Sequence, residues 1–207
     1  MTPRSILFDW SGTLVDDLPP VLDATNTVLQ HFGRPAMSRE EFRRSFRLPF
    51  RGYYEEHLPG VTLAELDPIW HRAFHGSREP VSLIPHARDY LEACAAGGLR
   101  LFVLSSAPQQ AVEKQARDLG LAHFFERIHA GVHDKREHIS PILAQHGLEP
   151  AHTIMIGDMR HDIETARAGG IRSVAVLTGY EYPEVIATAE PDLMVDDLSH
   201  LLTLHFS

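Results

Sequence analysis

Short, nearly unbroken apolar runs punctuate the 207-residue chain: "SILFDW" (5–10), "RLFVLSS" (100–106), "TIMIGD" (153–158) and "SVAVLTGY" (173–180). Strands covered on both faces read this way, because neither face can carry polar side chains. "RIHAG" (127–131) and "DLMVDD" (192–197) are weaker strand candidates. Between the runs the pattern turns helical. "PHARDYLEACAAGG" (85–98) and "HDIETARAGG" (161–170) stop at Gly pairs, and "PQQAVEKQARDLG" (108–120) runs from Pro to Gly. Pro fits a first helical turn and Gly the residue past the last one. Strand and helix in alternation predict an α/β fold, a parallel sheet with helices on both faces.

Residues 17–80 break that alternation. They hold no strand pattern and divide at Pro and Gly into helix-like pieces, "PPVLDATNTVLQHFG", "SREEFRRSF", "PFRGYYEEHL" and "TLAELDPIWHRAFHG". The expected organisation is a core of 1–16 and 81–207 with an all-helical domain, 17–80, inserted after the first strand.

Composition narrows the setting. A net charge of −9 disfavours nucleic acid as a partner. No apolar stretch is long enough for a membrane span, and the N-terminal residues do not resemble a signal peptide. The single cysteine, Cys94, fits a small buried helix residue in a reducing compartment, so a soluble cytoplasmic protein is expected, monomer or homodimer. Lys114 and Lys135 are the only lysines.

In open parallel sheets, ligands bind beyond the carboxyl ends of the strands. Asp9, Ser105, Asp158 and Thr178 fall at such ends, and Lys135 lies four residues past "RIHAG". Asp9 and Asp158 make a hard-oxygen pair of the kind that holds Mg²⁺, with Asp162 one helical turn beyond. Lys135, Ser105 and nearby N–H groups suit a phosphate. Singly, each has a plainer role. Asp162 or Ser105 can cap a helix, and Lys135 can be an ordinary surface lysine. Together and in order, they point to one rim.

Those residues carry a resemblance. "FDWSGTLVDD" is similar to the first signature of the haloacid dehalogenase superfamily, Asp-x-Asp-Gly-Thr-Leu-x-Asp. "LFVLSS" resembles the second, "GVHDKREHI" the third with Lys135, and "MIGDMRHD" the fourth, Gly-Asp-x-x-x-Asp. The closing segments resemble phosphoglycolate-phosphatase-like members, and 17–80 lies where the family has a helical cap. The resemblance implies a Rossmann-like core, Mg²⁺ and a small phosphorylated substrate. It implies Asp9 as nucleophile, forming an aspartyl phosphate, with metal at Asp9, Asp158, Asp162 and the residue-11 carbonyl. Ser105, Ser106 and Lys135 would hold the phosphoryl group, under a cap whose closure excludes water.

Ser11 departs from the pattern, standing where these phosphatases have the acid–base Asp. A serine hydroxyl has no accessible pKa for that task. The substrate then needs no proton, as with an acyl phosphate, another group supplies it, or the protein is a catalytically weak phosphoryl- or Mg²⁺-binding regulator. Two other chemistries fit poorly. Phosphonate cleavage needs a cap lysine, and 17–80 has none, while carbon–halogen hydrolases lack the Gly-Asp-x-x-x-Asp metal signature.

Among the remaining side chains, Arg39, Arg43 and Arg44 read as a solvated helix face around Phe42 and Phe46. Arg47 and Arg51 flank the loop-like "LPF" and are candidates for clamping a substrate anion. His71 and His75 have an i, i+4 spacing but no third ligand. His161, inside the fourth signature, is a candidate for touching the substrate or supplying the missing proton, but reads first as a surface residue at a helix start, and Trp10 either lines the pocket or packs beneath the cap hinge.

Overall fold

The computed structural model describes residues 3–206. The chain opens with β1 (Ser5–Phe8) and β2 (Val15–Asp16), then forms helices α1 (Leu18–His31), α2 (Arg39–Ser45), α3 (Phe50–His57) and α4 (Leu63–Gly76). It continues through β3 (Ser82–Leu83), α5 (Ala87–Ala96), β4 (Arg100–Leu104), α6 (Gln109–Asp118), β5 (Arg127–His129) and α7 (Lys135–His146). β6 (Thr153–Gly157), α8 (Arg160–Ala168), β7 (Arg172–Val176), α9 (Pro183–Ala187), β8 (Leu193–Val195) and α10 (Leu198–Phe206) complete it. Two compact units result: residues up to Asp16 with those from Ser82 onward, and Asp17–Val81.

The first unit is an α/β structure. Its sheet has six strands in the order β5-β4-β1-β6-β7-β8, every pair parallel. Leaving out the short β2 and β3, this is the 3-2-1-4-5-6 order of doubly wound dinucleotide-type folds. β1 is central and buried throughout, which explains its unbroken apolar run. Leu7 points to one face, packing with Phe102, Met155 and the α7 residues Ile139, Ile142 and Leu143. Phe8 points to the other, edge-on to Tyr90 of α5 at 6.1 Å. Each such side chain contributes roughly 1.5–3 kcal/mol on full burial.

The two faint strand signals are β5 and β8, the sheet's outer strands, with three residues each. Their exposed or half-exposed positions dilute the apolar pattern, as on any edge. Several elements left no readable signal, among them β2, β3 and α7. β2 and β3 pair antiparallel through only Val15–Leu83 and Asp16–Ser82, too short for any periodicity. α7 begins at Lys135 and carries Pro141 within it, which hides its helical pattern.

The second unit is all helical, with α1 packed along α4. Ser38 starts α2 by a reciprocal cap with Glu41, its backbone N–H donating to Glu41 Oε2 at 2.8 Å. Thr62 and Glu65 repeat the arrangement at α4. The side chain of Asn26 pins the α1–α2 connection, bonding both the N–H and the carbonyl of Met37. The centre is aromatic. Phe42 stacks on Phe46 at 4.8 Å, and Tyr53 meets both edge-on. Such contacts add about 0.5–1.5 kcal/mol per pair beyond area burial.

Candidate active site

β1 and β6 are adjacent where the strand order changes direction, and each ends in an aspartate. Asp9 follows β1 directly, its N–H held by Ile156 O at 2.8 Å. Asp158 follows β6. Asp162 is the third residue of α8 and also serves its helix, since Oδ2 accepts the N–H of Met159 at 3.1 Å. All three side chains are buried, and one oxygen of each lies within 4.8 Å of the others.

The turn after Asp9 explains the close approach. Gly12 has φ +78°, and a Cβ there would lie 2.4 Å from Asp158 Oδ2. Only glycine meets both demands. Thr13 Oγ1 then donates to Asp158 Oδ1 at 2.9 Å, and the N–H of Tyr180 donates to Oδ2 at 2.7 Å.

Lys135 enters from the first turn of α7, fully buried. Its Nζ lies 2.6 Å from Asp9 Oδ1 and 2.7 Å from Asp162 Oδ1. Burial opposes its charge, but Asp162 and Asp9 more than reverse that, so the ammonium persists above its ordinary range. Burial pushes Asp9 up to about 6 even though Lys135 pulls it down, with Asp162 adding repulsion. Burial, then Asp9 and Asp162, raise Asp158 well above the usual carboxylate range.

Burial and crowded charge act together in these shifts. Three buried carboxylates face one ammonium, which leaves negative charge uncompensated. A hard divalent cation with oxygen ligands fits that excess and that donor set. Among the described residues this is the only group of three acids, histidines or cysteines close enough to share an ion.

Ser105 follows β4 directly, buried, with its N–H on His129 O at 2.8 Å and its Oγ accepting from Ala107 N at 3.1 Å. Ser106 Oγ is shielded from solvent and has no protein partner, an orphaned donor of the type a bound anion satisfies. Ser11 is half-buried and bridges to Val15 within the turn.

One expectation needs correction, and the structure locates the other candidates. His161 is buried, not a surface residue, and its Nε2 accepts the Lys135 N–H at 3.2 Å. Burial, then the Lys135 charge, lower its pKa. Trp10 packs rather than lining a pocket: it is fully buried, edge-on to Phe125, and donates to Gln115 Oε1 at 2.6 Å. Arg47 belongs to the helical unit, bound there by Glu56 and by the carbonyls of Ser45 and Gly52. Arg51, in the same unit, is exposed. His71 and His75 lie on α4 with ring centres 6.3 Å apart. Sequence reasoning gave no role to Thr13 and Tyr180. The Gly-Thr pair was a usable signal for Thr13, but Tyr180 acts through its backbone, which side-chain identity does not reveal.

A family model for haloacid dehalogenase-like hydrolases matches residues 6–176. The chain belongs to this family. Within it the chain is phosphoglycolate-phosphatase-like. A phosphoglycolate phosphatase of Salmonella typhi is 28% identical over 229 residues, covering 96% of this chain and 91% of that one. Solved structures share the fold. A haloacid dehalogenase-like hydrolase from Streptococcus pneumoniae superposes with a TM-score of 0.87, 23% identity and 98% of each chain covered. A protein described as a predicted phosphatase from Clostridium acetobutylicum reaches a TM-score of 0.90 at 18% identity, covering 99% of this chain and 98% of that one. Among the described residues no helix is long and apolar enough to cross a membrane.

Proposed function

We propose that this hydrolase is a Mg²⁺-dependent phosphatase acting on a small phosphorylated metabolite through an aspartyl phosphate on Asp9. The supporting observation is the buried Lys135, bonded to both Asp9 and Asp162, with Asp158 on the adjoining strand tip. Asp9, Asp158, Asp162 and the Ser11 carbonyl would hold the ion, which when bound neutralises carboxylate and phosphoryl charge. The Asp9 carboxylate attacks phosphorus, the phosphorus–oxygen bond to the leaving group breaks, and water then cleaves the acyl phosphate to restore Asp9. Lys135 orients Asp9 and, remaining charged, opposes the negative charge that builds on the phosphoryl oxygens. Ser105 and Ser106 lie on the strand end where those oxygens would sit.

Ser11 shapes the choice of substrate. Without a carboxylic acid there, the leaving oxygen takes its proton from another group or needs none. General acid–base assistance is worth ~10²–10⁴ in rate. The relatives' names make 2-phosphoglycolate the first alkyl phosphate to test, and acetyl phosphate the matching substrate with a good leaving group. Phosphate release with Mg²⁺ is expected from acetyl phosphate at least, lost by ~10⁴-fold or more in Asp9→Asn. Release from both substrates means that another group replaces the missing acid. Ser11 also supports a second reading, a weak enzyme kept for binding phosphate or Mg²⁺. Absence of Asp9-dependent release from either compound would favour it over the phosphatase.

A further inference from the structure

The loop after β7 touches Asp158 directly and the backbone that carries Asp9 and Asp162, although none of its side chains is among the proposed reacting groups. Thr178 Oγ1 donates to the carbonyl of Gly12 at 2.6 Å, closing the turn that follows Asp9. Gly179 presses its backbone on Asp158; a Cβ there would lie 2.0 Å from Oδ2. The Tyr180 N–H donates to that same Oδ2. Glu181 is 4% exposed, and its Oε2 accepts the N–H of Arg160 at 2.7 Å in the first turn of α8. Two residues on, that helix carries Asp162.

Four consecutive residues therefore tie together the supports of Asp9, Asp158 and Asp162, which come from three separate chain segments. Three like-charged carboxylates repel and would spread if their supports moved independently. A hard cation needs them at fixed short range. An anion at the start of α8 also suits the helix dipole there, so Glu181 holds that end electrostatically as well as by hydrogen bonding.

We propose that Thr178–Glu181 is a strap that sets the spacing of the metal-binding carboxylates, with Thr178 and Glu181 as positioning residues. The proposal rests on the metal reading of Asp9, Asp158 and Asp162. Outer partners of this type usually control metal affinity by 10- to 100-fold.

Mn²⁺ binding, followed by the electron paramagnetic resonance signal of the free ion, tests the strap without turnover. Thr178→Val and Glu181→Ala are expected to weaken Mn²⁺ binding by about tenfold or more. Thr178→Ser and Glu181→Gln keep an acceptor or donor of similar reach and are expected to restore it. A role confined to fold stability would shift the melting temperature of the metal-free protein and leave the Mn²⁺ affinity of folded protein in place. Should Glu181→Ala not fold, Thr178→Val at its half-buried site carries the test. Asp158→Asn separates the two ideas. If wild-type binding is lost in Asp158→Asn but kept in Thr178→Val and Glu181→Ala, the strap is overturned alone. If the wild type takes up no Mn²⁺ and Asp158→Asn is indistinguishable from it, the metal reading falls and the strap with it.

Discussion

The two units use their charged residues in opposite ways. In the helical unit charge stays at the surface apart from the buried Asp17 at its first residue, as in the i, i+4 pair Arg44–Glu40 and the caps at Ser38 and Thr62. Each of these groups serves its own helix, and water pays most of the solvation. In the α/β unit Asp9, Lys135, Asp158, Asp162 and Glu181 are all buried, and their partners come from distant parts of the chain. Buried charge without compensation is costly, so a cluster of it signals chemistry more than stability. The lesson is that the number of charges says little. Lys135 matters because it is dry and shared, while Arg47 is bound within its own helical neighbourhood.

The widest gap between the units should appear on removing Lys135. Lys135→Met leaves three buried carboxylates facing one another, and a loss of about 3–5 kcal/mol is expected in urea unfolding of the metal-free protein. A change below ~1 kcal/mol would place this lysine with ordinary surface pairs.

A smaller effect sharpens the contrast through pH. Asp9 is raised to about 6, and Asp158 is raised as well, so these two groups bind more protons in the folded metal-free protein than in the unfolded chain. Their contribution to the stability slope with pH is then negative. In EDTA the melting temperature of the wild type, measured relative to Asp9→Asn, should fall as pH rises from near 4 through 6, and saturating Mg²⁺ should flatten that decline. A difference that instead grows across this window in EDTA contradicts the charge arrangement.

The smallest effect belongs to the helical unit. Ser38→Ala removes the acceptor for the Glu41 N–H and is expected to cost about 1 kcal/mol, with kcat and KM unchanged. A change in kcat would mean that α2 influences the reaction.

Legibility followed the same division. The four strong strands were readable because burial on both faces demands apolar residues at every position, and Gly and Pro marked the helix ends. Asp9, Ser105, Asp158 and Asp162 were legible because strand ends in an alternating pattern lie on one rim. Lys135 was legible through its motif, but α7, the helix that carries it, was not. His161 was misjudged because a polar residue at a helix start is commonly exposed, and the sequence does not show that α7 covers it. Ser11 was conspicuous from the start, as a departure at a fixed spacing from Asp9.

By itself, the sequence determined the alternation of elements, the helical insertion and the type of side chain at each strand tip, since all three follow from local periodicity and short spacing. Only the tertiary structure decided which charges meet. The sharing of Lys135 between residues 126 positions before it and 27 after it depends on strand order and helix docking. So does the use of a Tyr180 backbone N–H to hold Asp158, because a backbone donor looks the same at every residue until the fold aims it.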